Sequence, residues 1–97
     1  MLEMNISKKQ IDNYKKDGAI KIPSLFTEWI NEIKEGIDFN IDNPSLYGAE
    51  NTKKGQKGRF FDDYCNWQRI PQFENIIKNS DARNVAAQLM GSMNVQF

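Results

Sequence analysis

Gly58–Pro71 reads GRFFDDYCNWQRIP. Phe60, Phe61, Tyr64 and Trp67 crowd into this stretch, and Phe73 lies just beyond it. Aromatic side chains favour strands because they fit a pleated, partly buried surface. Strand alternation predicts that Phe60, Asp62, Tyr64 and Asn66 share one face, and Phe61, Asp63, Cys65 and Trp67 the other. Neither face is wholly polar. The stretch is therefore expected to be an interior strand, with the rest of the chain packed around it.

Helical signals flank it on both sides. Ser7 and Gln10 have the spacing of a capping box, and Ile6 and Ile11 that of a hydrophobic staple. They predict a helix over 7–17, stopped at Gly18. Ala19–Ile22 alternates like a short strand and ends at Pro23. Thr27 is placed to cap a second helix whose apolar face is Ile30, Ile33, Ile37 and Ile41, widened by Trp29. Gly36 is expected to weaken that helix slightly, and Asn43-Pro44 ends it. Residues 43–58 hold Pro44, Gly48, Gly55 and Gly58 among polar side chains and read as a flexible loop. Pro71 suits the first turn of a third helix that buries Phe73, Ile76 and Ile77. Ser80 is expected to cap a fourth that buries Ala82, Val85, Ala86 and Leu89, with Gly91 as its stop. Met93, Val95 and Phe97 alternate as a last strand. An apolar strand left without cover at a chain end points to a truncated sequence.

Composition narrows the function. The chain has 97 residues, 13 basic and 13 acidic, with the signs mixed along its length. That balance argues against a nucleic-acid footprint or a polybasic membrane anchor. A mean hydropathy of -0.69 fits a soluble globular chain. No apolar run reaches about 18 residues, and Met1–Lys9 lacks the core of a signal peptide. The single cysteine, Cys65, has no partner for an internal disulfide, so a cytoplasmic location is expected. The sequence contains 0 histidines. That removes every imidazole metal site and every Ser-His-Asp or Cys-His arrangement within it.

What remains is sparse. Asp62 and Asp63 are adjacent, so on a strand they point to opposite faces and cannot act together on one bond. Structural bonds to nearby loops, Arg59 or Arg69 outweigh a site role for them. Lys53, Lys54, Lys57 and Arg59 alternate with Gly55 and Gly58, yet the glycines lead into a strand and no Lys-Ser or Lys-Thr follows, unlike a phosphate loop. A solvated loop is the better reading. Cys65 reads as a small core hydrophobe, since no histidine can activate it. Trp67 and Tyr64, with Asp62 and Arg69, are the candidates for lining or supporting a pocket, against the commoner role of aromatics in a core.

Three segments, taken in order, resemble the N-terminal part of the phytanoyl-CoA dioxygenase family. IDNYKKDGAIKIPSLFT matches the family's opening at Gln10, Tyr14, Gly18, Ile20, Ile22, Leu25, Phe26 and Thr27, with Ala19 where an aromatic is usual. GRFFDDYCNWQRIPQFENIIKNS comes next, and then DARNVAAQLMGSMNVQF, similar to the helix before the first core strand. The resemblance covers essentially the whole chain, though no single motif is diagnostic. It implies an α+β architecture: the helices and first strands of a double-stranded β-helix (jelly-roll, cupin-like), cut before the barrel core. It also implies an oxidoreductase that uses Fe(II) and 2-oxoglutarate to hydroxylate a small-molecule substrate.

The family's iron is held by two histidines and a carboxylate. The resemblance places these, and the 2-oxoglutarate-binding arginine, beyond Phe97. It therefore assigns no catalytic, cofactor-binding or metal residue to this sequence, and the 97 residues alone are expected to be inactive. The competing expectation is a small, complete α/β binding or interaction module without catalysis.

Overall fold

The computed structural model describes residues 4–97. In order they form α1 (Lys8–Asp17), a 3-10 turn (Thr27–Trp29), α2 (Ile30–Asp42), β1 (Ala49–Glu50), β2 (Phe61–Asp62), α3 (Pro71–Asn79) and α4 (Ala82–Met90). The class is α+β. The chain forms two compact units, Met1–Thr27 with Ile77–Phe97, and Glu28–Ile76. Among the described residues no helix is long and apolar enough to cross a membrane.

The first unit is built on α1 and α4. Ser7 caps α1 as its spacing predicts. Its hydroxyl accepts from the Gln10 amide at 3.1 Å, and the Gln10 side chain accepts from the Ser7 amide at 2.9 Å. Gly18 closes the helix in the left-handed conformation (φ 77°), donating to the Tyr14 carbonyl at 2.8 Å. Gly91 ends α4 with a Schellman pair: Gly91 donates to Gln88 and Ser92 to Ala87, which satisfies two orphan carbonyls. The core is Ile6, Val85 and Leu89, with Ile11, Tyr14, Ile20, Ile22 and Leu25 around it.

Residues 19–22 keep the expected alternation, with Ile20 and Ile22 half-buried between exposed Ala19 and Lys21, but they form no strand. Among the described residues no strand pairs with them, and Ile20 and Ile22 pack against the core. Side chains do a ladder's work at the chain start. Asn84 and Gln88, one turn apart on α4, both donate to the Met4 carbonyl at 3.1 and 3.0 Å, and Gln88 accepts from the Ile6 amide at 2.8 Å. Residues 93–97 form no strand either and are exposed throughout.

The second unit departs further from expectation. Thr27 makes no side-chain cap; a 3-10 turn precedes α2, and Trp29 stands at the cap position without a side-chain bond. Trp29 is buried, and its indole nitrogen has no hydrogen-bond partner among the described residues, a cost of about 1–3 kcal/mol. The isoleucine stripe of α2 is only partly covered: Ile30 and Ile37 are 48% and 44% exposed. The buried position is Gly36, about 100° around the helix from Ile37. A Cβ there would lie 2.7 Å from Phe73 Cε1 and 3.0 Å from Gln72 Cβ. Gly36 is thus the point of closest approach between α2 and α3, and Glu32 accepts from Asn75 at 2.7 Å one turn away. This contact comes in addition to the expected cost of a glycine inside the helix.

Removing the Ser7 hydroxyl (Ser7→Ala) should lower stability by about 1 kcal/mol, read from urea melts. Gly36→Ala should gain about 1 kcal/mol of helix propensity and lose about 1–3 kcal/mol to overpacking, a net destabilisation. In a Phe73→Leu background, which frees the space, the same change should turn neutral or stabilising. A stabilised Gly36→Ala single variant would contradict the close approach.

Candidate functional site

The aromatic stretch is not one interior strand. Only Phe61 and Asp62 are strand, paired antiparallel with β1 through Ala49↔Asp62 and Glu50↔Phe61. The segment 43–58, expected as a loop, supplies β1. After Asp62 the backbone leaves the sheet because a side chain competes for its donors. The Asp63 carboxylate accepts from the Tyr64 amide at 2.9 Å and from the Ser45 amide at 2.8 Å, and the Ser45 hydroxyl donates to it as well. Cys65 then adopts φ 56°, and the Asn66 carbonyl accepts from the Arg69 and Ile70 amides. Cys65 is exposed, not a core residue. Ile70, wholly buried, takes the core place instead.

The Asp63 side chain is 0% exposed. The Ser45 hydroxyl, then the Ser45 amide, holds its carboxyl below the usual range. The Arg69 guanidinium lies 3.7 Å away. Arg69 also donates to the Asn43 carbonyl at 2.8 Å and to Asn40 Oδ1 at 3.2 Å, and Asn66 shares that Asn40 oxygen at 3.2 Å. A cation thus sits at the negative end of α2, where the helix dipole favours it. The turn 44–48 is tight enough that a Cβ on Gly48 would lie 2.8 Å from Pro44 Cβ.

Between α2 and the β1–β2 hairpin lies an open groove of about 530 Å³. Ile37, Ile41, Phe61 and Phe73 form its apolar lining, and Asn40, Arg59, Asp62, Asp63 and Asn66 its polar part. The volume is within the range of small-molecule sites, about 300–1,000 Å³. Arg59 lies over the Phe61 ring at 5.6 Å and pairs with Glu50 at 2.5 Å.

Of the four candidates, Asp62 lines the groove and accepts from Asn51 at 2.6 Å. Arg69 stands behind the wall, bonded to lining residues. Tyr64 does not line the groove; it stacks on Tyr47 at 4.8 Å, both rings largely exposed. Trp67 is half-buried in the turn after Asn66 and does not line it either. The residues that build the wall but escaped the sequence reading are Asn40, Ser45 and Asn66. Asn and Ser beside Pro and Gly signal turns, yet nothing local says which distant carboxylate they meet.

Asp62 and Asp63, expected on opposite faces of a strand, both line the groove, because the strand ends at Asp62; they keep separate hydrogen-bond partners, Asn51 for one and Ser45 for the other. The Asp63 carboxylate is engaged by the Ser45 amide and hydroxyl and by the Tyr64 amide. Among the described residues, no group of three or more His, Cys, Asp or Glu side chains is placed to hold a metal ion. No protein-family model, curated protein or solved structure matches this chain.

A depressed carboxyl stabilises the fold above its unfolded-state value, and that stabilisation is lost as pH falls through the folded value. Asp63 should contribute fully from neutral pH down to about 5, and progressively less below about 4. Thermal melts of Asp63→Asn should show a lower Tm at neutral pH and a shallower decline on acidification than the wild type. Parallel acid limbs would assign the acid sensitivity to other groups.

Proposed function

We propose that this chain is the N-terminal, mainly helical part of an Fe(II)- and 2-oxoglutarate-dependent dioxygenase of the phytanoyl-CoA dioxygenase family. The parent would be a small-molecule hydroxylase whose double-stranded β-helix follows Phe97. The observation that carries this reading is the order and spacing of the three resembling segments. A helix capped at Gly18 and an alternating run over 19–22 are compatible with the family's opening.

The residues present do not fit the metal. The sequence has 0 histidines, and no acidic or cysteine trio replaces them among the described residues. Iron and 2-oxoglutarate would be held elsewhere in the parent, and no chemical step is assigned to these residues. Their share is support: Asp63 and Arg69 fix the groove wall that Asp62 lines, while Trp67 and Tyr64 stand outside it on the same turn-rich segment.

A second reading, an α+β binding module without catalysis, is favoured by the groove itself, which is built from residues of one unit. Anaerobic titration with Fe(II) and 2-oxoglutarate separates the two. A parent extended past Phe97 should give a stoichiometric metal-to-ligand charge-transfer band, and the 97 residues alone should give none. A coding frame that stops after Phe97 in an expressed transcript, or runs on without a His-x-Asp, would favour the binding module. In the parent, Trp67→Phe should lower Tm, at a stability cost of about 1–3 kcal/mol for the packing change, and leave coupled turnover intact. Uncoupled 2-oxoglutarate consumption with unchanged Tm would instead place Trp67 against substrate.

A further inference from the structure

Helix α2 carries more apolar surface than its own unit covers. Ile30 and Ile37 are exposed and Ile41 is half-buried. At about 100° per residue, the three fall within roughly 40° of one another. Lys34 and Asp38 lie on one flank of this stripe, about 40° and 80° from its centre. Both are exposed. Among the described residues neither forms an ion pair, although Lys8 and Asp12, at the same spacing on α1, do so at 2.8 Å.

The arrangement is self-complementary. Consider a second α2 laid antiparallel along the stripe, with a two-fold axis perpendicular to the helix pair and level with Gly36. Each residue then stands level with the one equally distant on the other side of Gly36. With a rise of about 1.5 Å per residue, Ile37 lies about 3 Å along the axis from Ile37 of the second copy, and Ile30 about 1.5 Å from level with Ile41, so the isoleucines interleave along the seam rather than stand opposite one another. Lys34 comes level with Asp38, and the rotation keeps both on the same flank, so the ion pair forms twice. Two-fold interfaces require this reciprocity, in which residue i meets j and j meets i. We propose that two copies of this chain associate through antiparallel α2 helices, with the isoleucine stripe as seam and Lys34–Asp38 as reciprocal pairs. This goes beyond the function proposed above; Ile37 and Ile41 also line the groove, so the seam would take up part of the groove's apolar wall.

Sedimentation equilibrium of the full chain tests it, with loading up to about 1 mM because so short a seam buries less than a standard interface. A reversible monomer–dimer equilibrium is expected, abolished by Ile37→Asp. Lys34→Asp and Asp38→Lys should each weaken it roughly tenfold, since each turns two attractions into repulsions. The combined Lys34→Asp/Asp38→Lys variant should recover wild-type affinity to within about twofold. All these positions are exposed, and far-UV circular dichroism verifies that each variant is folded. A wild type that stays monomeric, a dimer indifferent to the single reversals, or a double variant as weak as the singles would overturn the proposal.

Discussion

A carboxylate whose side chain is covered by its neighbours must be met by donors, because water no longer serves it fully. Asp63 is met by Ser45, through both its amide and its hydroxyl, and by the amide of Tyr64. The rest of the second unit follows from that requirement. It pulls the turn 44–48 against the chain leaving β2, ends the strand after two residues, and sets Arg69 at the end of α2. The groove has a polar wall because this charge had to be satisfied there. The wall's other members, Asn40 and Asn66, are held through the same arginine.

The first unit solves a different problem by similar means. Its opening residues have no strand to pair with, so their backbone groups are taken by the amides of Asn84 and Gln88. Both units therefore replace sheet hydrogen bonding with side-chain bonds to backbone. This accounts for an α+β chain with one two-stranded sheet, where the sequence carries three stretches of strand-like alternation. Alternation reports which side chains want burial. A ladder needs a second edge at the right distance, and among the described residues only β1 and β2 provide one for each other.

The helices were legible because their signals are local. Ser7, Gly18, Pro71 and Gly91 act on backbone groups within a few residues, and each stands where its chemistry predicts. Ser80 came close: its hydroxyl accepts from the Ala82 amide at 3.3 Å, one residue ahead of the cap position at Asp81. The candidate site was legible only in part. Asp62 and Arg69 belong to the groove or its support, while Tyr64 and Trp67 do not line it. Aromatic alternation does not carry Tyr64 and Trp67 into the groove, because the strand ends at Asp62 and the Asp63 bonds turn the chain there.

By itself the sequence determined the helices, the caps at Ser7, Gly18 and Gly91, the apolar residues available for burial and the absence of any imidazole. Those properties depend on residue identity and on neighbours three or four positions away. The tertiary structure decided which of two adjacent aspartates is enclosed, which isoleucines of α2 stay in solvent, and that Gly36 is a contact as well as a cost to the helix. These rest on pairings between distant residues, Ser45 with Asp63, Asn40 with Arg69, and Gly36 with Phe73. The energy of each depends on the geometry that brings the partners together, and local spacing carries no record of it.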